Sequence, residues 1–255
     1  MRTTTANIKQ ALANRGFLIG MTCVVFIILL SSLRDMLSAF RSIELLSYGF
    51  HDMLIERALT SDAMALALPI LCALPFTASV VEDIKSGFIK AYLHRTTIGG
   101  YLWGKSLACA ISGGLVLTLG IFVSYIICAL TFLPMEAASI LVKDAEAPAY
   151  FGQLMGNILL FFASGAFWSM VGLTFATLSN SKYMAYASPF VIYYVLVILY
   201  ERYLDKLYVL YPKEWINPSN TWMFGSVGVV LLLLELTVIM GLCFATAAKR
   251  RLAQI

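Results

Sequence analysis

Six apolar stretches, four of them long, take up most of this 255-residue chain, and they limit what it can fold into. A helix needs about 20 apolar residues to cross ~30 Å of hydrocarbon. Tracts of that kind recur from residue 17 to residue 248. The expected fold is therefore all-α, a polytopic membrane protein in one transmembrane domain covering 1–255. Six transmembrane helices are expected, at about 17–33, 63–81, 104–132, 151–178, 183–203 and 223–248. The second is short and carries Pro69 and Pro75, which remove backbone donors and should kink it. The third and fourth are long enough to tilt or to project beyond the bilayer.

Composition agrees. Hydrophobic residues make up 60% and charged residues 13% of the chain, with a mean hydropathy of +0.85. A soluble domain carries about a quarter charged residues, so a soluble domain on a single anchor is excluded. The first tract lacks a small-x-small cleavage site followed by a soluble chain, and Arg34 and Asp35 follow it directly. It reads as a retained span rather than a signal peptide.

Six spans place both termini on one side, and lysine and arginine counts choose which. With the N-terminus inside, the inner segments hold eleven of these residues and the outer segments seven. N-in, C-in is the expected topology. Trp215 and Trp222 then mark the outer interface and Trp103 the inner one. Residues 5–15 suit a short amphipathic helix on the inner surface. Segment 34–62 should form one or two helices resting on the outer face, and 201–224 a hairpin dipping into the outer leaflet.

Few residues point to chemistry. The cysteines Cys23, Cys72, Cys109, Cys128 and Cys243 all lie in apolar tracts, and their spacing fits neither a metal site nor a disulfide framework. His51 and His94 fall on opposite sides of the membrane, so no metal site is expected. Residues 99–106, GGYLWGKS, satisfy the phosphate-loop pattern G-x-x-x-x-G-K-[ST]. That pattern needs a strand leading in and a helix leading out. Here a polar amphipathic segment leads in, so the match is a coincidence of spelling. No catalytic residue and no cofactor are assigned to the chain.

Glu235 lies about ten residues into the last span, ~15 Å along a helix and near the bilayer midplane. Intramembrane carboxylates face protein or water rather than lipid. Glu235 therefore either lines a cavity or fixes helix packing, and the lack of a second intramembrane acid or base favours packing. Gln153 and Asn157, one turn apart, have the same two readings.

Segment 82–105 carries the strongest signal. Ile84, Phe88, Ile89, Tyr92 and Leu93 recur at helical spacing, with Lys85, Lys90 and His94 mostly off that face. Gly87 weakens a continuous helix and predicts a kink. Such a helix either lies flat on lipid or meets another protein. Glu82, Gly87, Arg95 and Gly104-Lys105 resemble the E…G…R…GK pattern after the second span of ABC-2-type permeases, the membrane subunits of bacterial ABC exporters. Six spans, an N-terminal surface helix and a re-entrant segment before the last span are also similar to that family.

The resemblance implies a coupling helix at Ile84, Lys85, Phe88, Ile89, Tyr92, Leu93 and His94, docking on a separate ATPase. Two copies of the ATPase would hold ATP and magnesium, and a second permease chain would complete a homodimer or heterodimer. The chain itself would not be an enzyme and would bind no nucleic acid. It would sit as a multi-pass protein in the bacterial inner or plasma membrane and export a peptide, with lipid, drug and sodium ion as other cargoes. The rival reading is a proton-coupled secondary transporter using Glu235. An inverted repeat would favour that rival, and none is evident.

Overall fold

The computed structural model describes residues 2–41, 46, 49–89, 96–140, 156–204, 207–218 and 222–253, excepting the side chains of 2, 3 and 137–140. Among the described residues every regular element is helical. These are α1 (Arg2–Leu12), α2 (Arg15–Arg41), α3 (Phe50–Thr60), α4 (Asp62–Ala73), α5 (Ser79–Lys85) and α6 (Ile98–Ile140). Then come α7 (Ile158–Ser179), α8 (Lys182–Tyr203) and α9 (Gly225–Leu252), with short 3-10 turns at Tyr208–Leu210 and Pro212–Trp215 before α9. Five helices among the described residues are long and apolar enough to cross a membrane: α2, α6, α7, α8 and α9. This is the build of a multi-pass membrane protein.

The expected span at 63–81 is not one helix. It divides into the 12 residues of α4 and the 7 of α5, around a turn at 74–78. Pro75 cannot donate to the helical ladder, and the carbonyls freed nearby find other donors. The Thr77 hydroxyl donates to the Ala73 carbonyl. The Asn14 side-chain amide donates to the Pro75 carbonyl at 2.6 Å. Phe76, Thr77 and Ala78 are buried, so the irregular backbone is enclosed in protein, as it must be at membrane depth.

The bundle is centred on α7. It packs against α6, α9, α8 and α4, and 16 of its 22 residues are buried. Small residues let its neighbours come close. A methyl group on Gly165 would lie 2.5 Å from the Gly113 carbonyl oxygen of α6. At the same crossing the Ser169 hydroxyl donates to the Cys109 carbonyl at 3.1 Å. Helices in lipid gain little from hydrophobicity, so contacts between small residues and hydrogen bonds hold such crossings. Around α7 the other helices expose their apolar residues, among them Phe26, Leu30, Val191, Ile198, Leu231 and Val238.

Outside the long helices, the expected short N-terminal helix forms as α1, with Ala6, Lys9 and Gln10 exposed and with Asn7 and Ala11 buried where it packs against α6. Helix α3 buries Leu54, Ile55 and Ala58 and packs between α2 and α6. Trp215 is no interfacial marker. It is 1% exposed, stacks near Trp168 with centroids 5.7 Å apart and donates its indole N–H to the Val209 carbonyl at 2.9 Å. Trp103, at 69% exposure, does point outward.

The α6–α7 crossing generates a prediction. Gly165→Leu cannot be housed without moving Gly113 and Gly114, and overpacking costs about 1–3 kcal/mol. Thermal unfolding in detergent should show a clear loss of stability, whereas Gly156→Ala, with open space around it, should show none.

Candidate functional site

The segment after the second apolar stretch brings its charged residues together in a defined way. Helix α5 ends at Gly87, whose φ of +72° is a left-handed value that glycine adopts without strain. The Gly87 N–H returns to the Ile84 carbonyl at 3.2 Å. The expected kink at Gly87 is therefore a helix stop. Adjacent residues on α5 then point apart, as Glu82 and Asp83 do. The Glu82 carboxylate meets the Lys182 ammonium at the start of α8, at 2.8 Å. The Asp83 carboxylate turns inward and meets the Lys105 ammonium of α6, also at 2.8 Å.

The inward pair is fully dressed. Asp83 Oδ2 also accepts a 2.8 Å hydrogen bond from the Tyr101 hydroxyl. Lys105 is 3% exposed, and its ammonium lies 4.6 Å from the Phe76 ring centroid, within reach of a cation–π attraction. One residue earlier, a methyl group on Gly104 would fall 2.8 Å from the Asn7 amide nitrogen of α1. So Gly104 admits α1 and Lys105 anchors α5. Residues 98–106 are all helical. The GGYLWGKS spelling forms no loop, and its lysine is spent on Asp83. The helix also corrects the expected span: 98–103, assigned to the connecting segment, belong to α6.

Among the expected coupling residues, Ile84 and Ile89 turn inward, with Ile89 1% exposed and Ile84 packed beside the same cluster. Lys85 is exposed, and Phe88 is 51% exposed. Tyr92, Leu93 and His94, with Arg95, lie outside the described residues. The single apolar face drawn through Ile84, Phe88 and Ile89 is therefore split, because the stop at Gly87 re-aims the chain.

The other expected site residues stay apart from this junction. Glu235 is exposed on α9, and no described residue bonds to it. Among the described residues, nothing fulfils the packing role. Glu235 lies instead at one end of a cleft of about 300 Å³ that also touches Tyr208, Trp222 and Phe224. Asn157 caps α7 through its backbone and makes no side-chain bond at the cap. Gln153 lies outside the described residues.

One cluster was not anticipated at all. Glu136, near the far end of α6, is 0% exposed. Its carboxylate accepts the backbone N–H of Gly49 at 3.0 Å and that of His51 at 2.9 Å. The His51 Nδ1 lies 2.8 Å from the same group. A carboxylate suits the positive end of a helix, and here it clasps the start of α3 to α6. Burial pushes the neighbouring Asp52 carboxyl above the usual aspartate range, opposed by His51 and reinforced by Glu136. Glu136 and His51 are 85 positions apart in sequence, and no local pattern pairs them.

Compared with known proteins, the chain matches no family model, no curated protein and no solved structure.

The buried pair predicts a specific stability pattern. Lys105→Ala strands the partly buried Asp83 and should cost about 3 kcal/mol or more. The double change Asp83→Asn with Lys105→Met removes both charges and should recover most of that loss. Unfolding midpoints in detergent read both. A lysine reserved for nucleotide would leave the midpoint unmoved in Lys105→Ala.

Proposed function

We propose that this chain is the membrane-spanning permease subunit of an ATP-driven exporter of the ABC-2 type. It works as a dimer with two copies of a separate ATPase, which holds the ATP and magnesium. The observation that carries the reading is the junction at Asp83 and Lys105. There a short polar segment is fastened to a long membrane helix by a buried ion pair, and it leaves Lys85 and the half-exposed Phe88 facing outward. A segment that only rested on lipid would need no rigid attachment. A segment that receives a push does.

In this reading ATP binding draws the two ATPases together and shifts the segment after α5. The Asp83–Lys105 pair passes the shift to α6 and the Glu82–Lys182 pair passes it to α8. The two halves of the dimer then change the side to which a central cavity opens, and the exported cargo is a peptide. Glu235 supports the rival proton-coupled mechanism less well, since no described titratable group pairs with it to form a relay.

Two measurements test this. Phe88→Asp should leave the protein folded but sharply reduce co-purification with the ATPase, because truncating an interface anchor often costs about 2 kcal/mol, and Phe88→Leu should largely restore it. Normal coupling in Phe88→Asp would overturn the reading. In a background without the native cysteines, a thiol at Ser86 should be shielded from an impermeant reagent in intact cells while one at Glu56 reacts. The opposite pattern would put the segment on the wrong side for an ATPase.

A further inference from the structure

Helices α7 and α9 end side by side, and the cleft between their last turns is basic. It measures about 380 Å³ and is lined by Leu178, Thr246, Ala247, Arg250 and Arg251. The lining combines two apolar residues, Leu178 and Ala247, with two cations, Arg250 and Arg251. The Arg251 guanidinium donates to the Leu178 carbonyl at 2.6 Å, which satisfies an orphan carbonyl at the end of α7 and holds the arginine in place. Arg250 beside it is exposed.

The described neighbouring charges leave these cations unneutralised. Carboxylates also stand at this end of the bundle, and the described ones are already paired, Glu82 with Lys182 and Asp83 with Lys105. Among the described residues no carboxylate pairs with Lys249, Arg250 or Arg251. The carbonyl ends of α7 and α9 draw on this positive charge, but Arg251 already answers the Leu178 carbonyl. An excess remains over a cleft with room for a ligand. The apolar run of each helix ends beside the cleft, at Ser179 on α7 and before Lys249 on α9, which is the setting of a headgroup-level site.

We infer that this cleft is a binding site for the phosphate headgroup of an anionic bilayer lipid. Arg250 and Arg251 meet the phosphate, the Thr246 hydroxyl is within the same rim, and the lipid's glycerol and chain ends lie against Leu178 and Ala247. Basic pockets between membrane helices bind the headgroups of acidic lipids. The inference does not depend on the exporter reading, since it needs only a bilayer around α7 and α9.

The test uses the purified full-length chain in neutral detergent, with bound lipid counted by native mass spectrometry. Phosphatidylglycerol should bind in preference to phosphatidylcholine. Arg250→Gln should lower its affinity about fivefold and the double change with Arg251→Gln more than tenfold, as about one unit of surface attraction is lost per arginine. Arg250→Lys should keep most of the binding. Arg250 has no described partner, so the single variant should unfold at the wild-type temperature and remains decisive if the double variant does not fold. Equal binding of the two lipids, or unchanged binding in Arg250→Gln, would overturn the inference. So would full displacement of phosphatidylglycerol by millimolar inorganic phosphate, which would make the cleft a site for a free anion.

Discussion

The close approach of α6 to α7 is the contact on which the rest of the bundle is arranged. In lipid, two apolar helices have no solvent to escape by touching, so they stay together only where surfaces interlock and hydrogen bonds form. Gly113, Gly114 and Gly165 remove the side chains that would hold the two backbones apart, and Ser169 spends its hydroxyl on the Cys109 carbonyl across the gap. With that crossing in place, α7 is enclosed. Helices α4, α8 and α9 can then dock on its remaining sides, and each keeps a face for lipid.

Polar groups are few in this chain, and three of the enclosed ones tie in pieces that the α6–α7 crossing does not hold. Lys105 fastens α5, Glu136 fastens α3 and Asn14 fastens the turn at Pro75. Each bond joins a short or irregular piece to a long helix or to the turn that leads into one. Such pieces cannot hold their position by burial alone, since α5 has 7 residues and α3 has 11. In a membrane an enclosed charge without a partner is costly, so every one of these ties is also an obligation that fixes its surroundings.

The long helices were legible because length and apolarity are local properties. The spans at 183–203 and 223–248 differ from α8 and α9 by a few residues. The divided second span was half legible: Pro69 and Pro75 announced a disturbance, but α4 runs through Pro69 and stops before Pro75. Misreadings came where burial depends on distant partners. Trp215 has the setting of an interfacial tryptophan and lies in the core because Trp168 and Phe167 are waiting for it. For Glu235 cavity lining and packing were both open, and it is exposed without a bond to any described residue. At the candidate site, the divergence of Glu82 and Asp83 follows from helical geometry, whereas the pairing of Asp83 with Lys105 needs the fold to bring α5 against α6.

Helix α6 has 43 residues, about 64 Å at 1.5 Å per residue, roughly twice the hydrocarbon thickness. Lys105 and Glu136 stand on it 31 positions apart, about 47 Å along the axis, and each is bonded to a short helix at its own end. Pro134 falls beside the Glu136 clasp and not in the middle of the rod. Such a beam carries tilt without any chain of rearranging side chains between its ends. The Asp83 junction and the His51 clasp are thus held at a fixed spacing by one continuous helix, with the glycine crossing on α7 between them.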